Sequence, residues 1–96
     1  MEMDANAHLN KIYTITTEGC NSCSTLNKLM LEAIKISGTK AEYVTEDVTK
    51  ADKKFIKQYN VTDFPTTFLI NNDKVKFMFA GTRPAIVIAR WIELNL

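Results

Sequence analysis

The chain has 96 residues, 46% of them hydrophobic, with five Phe, three Tyr and one Trp, enough to close one core without staples and too few for a second domain. Its formal net charge of +1 leaves no electrostatic footprint for nucleic acid, and no apolar run approaches the roughly 20 residues that span a bilayer. A single domain, monomeric and with neither nucleic-acid nor membrane partners, is expected.

Residues 1–9 are polar, contain the single histidine, His8, and lack helical or strand periodicity, so they read as a flexible tail ahead of a domain at 10–96. Met1 to Asn10 has neither the basic start nor the apolar run of a signal peptide, which points to a reducing, cytoplasmic setting. Asn60-Val61-Thr62 matches a glycosylation acceptor but means nothing without export. From Lys11 the β-branched and aromatic cluster around Ile12, Tyr13 and Ile15 predicts a strand, closed by Gly19. Leu26, Leu29, Met30, Ala33 and Ile34 recur at spacings of three and four, predicting a helix from Ser22 to about Ser37 that Gly38 terminates. Tyr43, Val44 and Val48 predict a second strand ending near Asp47. A second helix is expected from Thr49 or Lys50, with Ala51, Phe55 and Tyr59 on one buried stripe and Lys53, Lys54 and Lys57 on a solvated face. Thr66 to Ile70 reads as an apolar strand, Asn71-Asn72-Asp73 as a turn, and Val75, Phe77 and Phe79 as alternating positions on a returning strand. Gly81-Thr82-Arg83-Pro84 then supplies a breaker, a cap and a proline suited to a first helical turn, and Ile88, Trp91 and Ile92 follow at helical spacing.

The order is βαβαββα. Its first strand, helix and second strand form a right-handed parallel unit, the hairpin extends the sheet antiparallel, and helices cover both faces of a four-stranded mixed sheet, an α/β architecture.

The chemistry concentrates in Gly19-Cys20-Asn21-Ser22-Cys23, where a strand gives way to a helix. Unpaired N–H groups and the macrodipole at a helix N-terminus favour an anion, so the first sulfur can be held as the thiolate that attacks disulfides. The second sulfur lies about one turn further on, close enough to close a ring. In a reducing setting such a pair serves redox chemistry or metal more often than stapling. A closed zinc site needs four ligands, and the chain offers no second CxxC and only His8, so metal is not expected; half of an intermolecular zinc site and two inert thiols are the alternatives. Glu18 reads as a solvated loop charge that opposes a neighbouring thiolate, and Lys28 lies too far along the helix to help. Phe77, Phe79 and Trp91 read as core.

With CxxC closing the first strand and Val61-Thr62-Asp63-Phe64-Pro65-Thr66 opening the third, residues 11 to 96 resemble the thioredoxin and glutaredoxin superfamily. The resemblance implies the thioredoxin fold, a cis Phe64–Pro65 peptide facing the dithiol, and a substrate-binding surface made by Gly19, Asn21, Ser22, Thr62, Asp63, Phe64, Pro65 and Gly81. On the residues alone, without the dithiol, Pro65 reads as an ordinary loop proline, and Phe64 reads equally as core. The chain also departs from the pattern. Gly19 stands where thioredoxins carry tryptophan, Asn21-Ser22 replaces Gly-Pro, Thr14 stands where they bury an acid, and a leading strand and helix are missing. Glu18 and Gly81-Thr82-Arg83 replace the glutathione-holding features of glutaredoxins, although Arg83 and the backbone beside Pro65 can still meet a carboxylate.

The resulting expectation is a thiol–disulfide oxidoreductase that reduces protein disulfides, with Cys20 as nucleophile, Cys23 as resolving thiol and no cofactor beyond the Cys20–Cys23 disulfide. A thioredoxin reductase or glutathione would restore the dithiol. Alternatives are a glutathione-dependent glutaredoxin and a non-catalytic module that uses the fold as a binding surface.

Overall fold

Alternation of large apolar side chains along two central strands builds two cores, one on each face of a single sheet. The computed structural model describes residues 9–96; His8 and the rest of the expected tail before Leu9 lie outside them. The elements are β1 (Asn10–Thr16), α1 (Asn21–Ser37), β2 (Glu42–Asp47), α2 (Lys53–Gln58), β3 (Thr66–Asn71), β4 (Lys74–Ala80) and α3 (Ala85–Asn95). The four strands lie in the order β2-β1-β3-β4, with β2 parallel to β1 and both β3 pairings antiparallel. This is the thioredoxin fold, in the expected βαβαββα order.

Neighbouring strand residues point to opposite faces, which sorts the core. Ile12, Leu69 and Phe79 face α1 and α3, where Leu26, Met30, Ala33, Ile88 and Ile92 complete one cluster. Ile15 and Phe68 face the other way, against Ala51, Phe55 and Tyr59. Helices therefore cover both faces, two on one side and the short α2 on the other.

α1 begins at Asn21 rather than at the expected Ser22 and ends at Ser37 as its spacing predicts. Cys20 is its N-cap, and Gly38 ends it at φ 71°, donating its N–H to the Ile34 carbonyl. β2 ends at Asp47 as its pattern predicts, but α2 begins at Lys53 rather than at Thr49 or Lys50. The reason is a competing cap. The Asp47 carboxylate accepts from the backbone and hydroxyl of Thr49, and its carbonyl accepts from Lys50 and Ala51. That tight turn leaves Asp52 to cap the helix through the Lys54 N–H. Ala51, expected on the helical stripe, is buried from the turn before it.

The hairpin shows a second difference. β3 runs through Asn71, leaving Asn72 and Asp73 as a two-residue turn, at φ 55° and 65°; Asn and Asp tolerate this left-handed region best among residues with side chains. A register shift between Leu69 and Ile70 pairs Leu69 with Phe77 but Ile70 with Val75, so Lys76 is an extra residue on β4. Such a bulge reverses the face of what precedes it. Val75 accordingly packs with Ile70 on the α2 side, not with Phe77 and Phe79 as strict alternation predicts. In α3, Pro84 is the N-cap, one position before the first turn that the sequence suggests for it; it offers no side-chain bond, and its carbonyl accepts from Val87 and Ile88.

The tyrosines on β1 and β2 give the fold an alkaline limit. Burial pushes the Tyr43 hydroxyl up to about 12 from its ordinary 10.0, and burial with the Glu46 hydrogen bond raises that of Tyr13. Below the unfolded value both states keep the proton and the contribution is fully present. As pH climbs from about 10 toward 12, the unfolded chain ionises first and that stability is lost. Urea titrations of Tyr43→Phe should show a shallower fall in stability across this window than wild type; equal slopes would contradict the assignment.

Candidate active site

Three strand ends meet at one edge of the sheet. Because β3 runs against β1 and β4 against β3, the end of β1, the start of β3 and the end of β4 share a register line, Ile15 with Thr66 and Thr66 with Ala80. The loops leaving those positions carry Gly19 to Cys23, Thr62 to Pro65, and Gly81. Sequence separations of about forty and sixty residues are thereby collapsed by topology alone.

The loop after β1 reaches α1 through Gly19, whose φ of 72° lies in the left-handed region. A Cβ there would meet nothing within 4 Å, so backbone conformation, not crowding, calls for glycine. Cys20 and Cys23 are joined by a disulfide with Cα atoms 5.3 Å apart. Their exposures differ: Cys23 is 8% exposed, while Cys20 is half-buried beside the exposed Asn21 and Ser22. Cys20 Sγ accepts the Cys23 N–H at 3.1 Å, the place an Asp or Ser oxygen takes in an ordinary N-cap. No acidic residue occupies the first turn of α1, so the sulfur has no competitor for the positive end of the helix.

The loop before β3 faces this sulfur with backbone. The Phe64–Pro65 peptide is cis, and the Phe64 carbonyl lies 3.9 Å from Cys20 Sγ and accepts the Ser22 hydroxyl at 3.4 Å. The Ser22 hydroxyl is also 3.3 Å from Cys20 Sγ. Pro65 is buried, and its carbonyl accepts the Gly81 N–H at 2.7 Å, tying the third loop to the second. The Phe64 ring turns the other way, into the cluster of Ile15 and Phe68; its side chain serves the core while its backbone borders the sulfur. Thr62 and Asp63 are exposed, and neither hydrogen-bonds to a cysteine among the described residues; the Asp63 carbonyl accepts the Thr66 hydroxyl at 2.6 Å. Asn21 points to solvent, its carbonyl taken by Thr25.

Two arrangements carry no sequence signal of their own. Thr14 is 1% exposed and its hydroxyl pairs with that of Thr67 at 2.9 Å; with Thr66 these are the only buried polar side chains among the described residues, so no carboxylate lies in the core. Arg83 lays its guanidinium about 6 Å from the rings of Phe79 and Trp91, and its Nη1 donates to the Ala80 and Thr82 carbonyls. It fastens the loop after β4. Among the described residues no cluster of three or more His, Cys, Asp or Glu side chains is placed to hold a metal, and no helix is long and apolar enough to cross a membrane.

Comparison with known proteins gives one result in sequence and one in structure. The family model described as a thioredoxin domain matches residues 11–88. No curated protein matches the chain in sequence. Among solved structures, the reduced thioredoxin pre-protein of Schistosoma mansoni is 19% identical at a TM-score of 0.75, covering 99% of this chain and 87% of its own. Deadhead, a germline-specific thioredoxin of Drosophila melanogaster, is 16% identical at a TM-score of 0.76, covering 99% and 89%. Fasciola hepatica thioredoxin is 17% identical at 0.74, with the same coverages of 99% and 89%. The chain belongs to the thioredoxin domain family, and this membership together with its cysteine pair supports a thiol–disulfide oxidoreductase.

Proposed function

We propose that this member of the thioredoxin family is a dithiol reductant of protein disulfides, acting as a monomer in a reducing cytoplasm. The observation that carries the reading is the asymmetry of the pair: Cys20 caps α1 at the surface, whereas Cys23 is buried one turn inside. In the reduced protein the Cys20 thiolate attacks one sulfur of the substrate disulfide, forming a Cys20–substrate bond and expelling the other substrate sulfur as thiolate, which takes a proton. Cys23 then loses its proton, attacks Cys20 Sγ and expels the second substrate sulfur. Two electrons have passed to the substrate, and the Cys20–Cys23 disulfide remains.

The helix end supplies the driving asymmetry. A charged acceptor strengthens the N-cap hydrogen bond from the Cys23 N–H beyond what a disulfide sulfur provides, and the macrodipole adds about 0.3–2 kcal/mol in favour of the anion. Substrate main chain would lie against the backbone of Thr62 to Pro65 in strand-like fashion, with Gly19, Asn21, Ser22 and Gly81 forming the rim. Thr14 and Thr67 hydroxyls do not ionise in the working pH range, so the Cys23 proton must leave to solvent or to the departing substrate thiolate rather than to a buried carboxylate.

Regeneration needs an external reductant, and we assign a thioredoxin reductase ahead of glutathione. Arg83, the side chain the resemblance offers for a glutathione carboxylate, already donates Nη1 to two loop carbonyls. Mixing the oxidised protein with NADPH and thioredoxin reductase should consume NADPH and open the disulfide, at a rate well above that with millimolar glutathione. Faster reduction by glutathione would establish the glutaredoxin alternative, and failure of both would favour the non-catalytic module.

A further inference from the structure

Ser22 stands between the two halves of the site, and its hydroxyl has one proton for two acceptors. Cys20 Sγ lies 3.3 Å away and the Phe64 carbonyl 3.4 Å away, so rotation of the hydroxyl alone moves the hydrogen bond from one to the other. Which acceptor wins depends on what the sulfur is. A disulfide sulfur is a weak acceptor and loses to a carbonyl, whereas a thiolate is charged and draws the donor.

We propose that Ser22 is a positioning residue whose hydroxyl donates a hydrogen bond to the Cys20 thiolate in the reduced protein and to the Phe64 carbonyl once the disulfide closes. This rests on the dithiol chemistry proposed above. Together with the Cys23 N–H at 3.1 Å, it gives the thiolate two donors, one fixed in the helix and one that follows the redox state. The exchange also links the dithiol to the loop before β3, since the carbonyl released in the reduced state belongs to the backbone that borders the sulfur. The charged groups on the three loops that carry the site are Glu18 after β1, Asp63 before β3 and Arg83 after β4. None bonds to Cys20 among the described residues, and all three persist in a Ser22 variant, so their influence cancels in the comparison.

The test is the pH profile of Cys20 alkylation by iodoacetamide in the reduced full chain, read by mass spectrometry for wild type, Ser22→Ala and Ser22→Thr. Losing a donor to a solvated anion should raise the midpoint by about one pH unit in Ser22→Ala, a tenfold loss of thiolate at pH below the midpoint. Ser22→Thr keeps the hydroxyl and should restore most of the shift, and oxidised Ser22→Ala should be correspondingly harder to reduce with dithiothreitol. An unchanged midpoint in Ser22→Ala, or equal shifts in both variants, overturns the role of the hydroxyl alone. A wild-type midpoint at or above the free-thiol value of about 8.5 overturns the dithiol reading along with it.

Discussion

Cys20→Ser is expected to reduce disulfide turnover to the uncatalysed background, while Cys23→Ser is expected to stall as a covalent adduct with its substrate. The two sulfurs are chemically identical in the sequence and are distinguished only by where the fold puts them. Cys20 sits at the mouth of the site with its sulfur capping α1; Cys23 is 8% exposed behind it. A large disulfide substrate can reach the first sulfur and not the second, so loss of Cys20 removes the attack itself. Loss of Cys23 leaves the attack intact and removes the intramolecular step, whose advantage comes from holding the resolving thiol within bonding distance. Non-reducing gels of each variant mixed with a disulfide-containing protein should show the mixed disulfide for Cys23→Ser only. Equal trapping by both variants would reverse or erase the assignment of roles.

Phe68→Ala is expected to cost about 3–5 kcal/mol, the usual range for truncating a buried phenylalanine, which is a large share of the 5–15 kcal/mol typical of a small domain. Phe68 is 0% exposed at the centre of the α2-side core, with ring centroids 4.5 Å from Phe55, 5.3 Å from Tyr59 and 6.3 Å from Tyr13. α2 spans six residues, none of them buried. So short a helix has little intrinsic stability, and Phe68 is the surface on which Phe55 docks it. Urea unfolding should register the full loss, and hydrogen exchange should show α2 amides opening well before those of β1 and β3. A loss under about 1 kcal/mol, or α2 protection unchanged, would contradict this account of how the second face is covered.

The sequence makes the order of elements readable because each strand and helix keeps its own period, and Gly19, Gly38 and Gly81 punctuate them where chain direction changes. It leaves the start of α2 ambiguous for a physical reason. Asp47 and Asp52 are both good caps, five residues apart, and only the parallel pairing of β2 with β1 through Asp47 commits the first to a turn. Val75 misleads in the same way, since a strict alternation of Val75, Phe77 and Phe79 conceals the extra residue at Lys76. The dithiol is evident from its spacing and position, whereas the loop of Thr62 to Pro65 is placed beside it by family resemblance and not by any local pattern. Ser22 is invisible as a bridge, because a serine hydroxyl acquires its second acceptor only when Phe64, 42 residues later, is brought across the site.

Transfer of two electrons from the Cys20–Cys23 dithiol to a substrate disulfide can be read from a stoichiometric count of thiols. One equivalent of fully reduced protein is mixed anaerobically with one equivalent of a disulfide-containing protein, with no other reductant, and the products are alkylated and mapped by mass spectrometry. Both thiols should be lost from this chain, two should appear in the substrate, and a Cys20–Cys23 disulfide should be the only new bond. Free Cys20 and Cys23 beside an intact substrate disulfide would contradict that transfer.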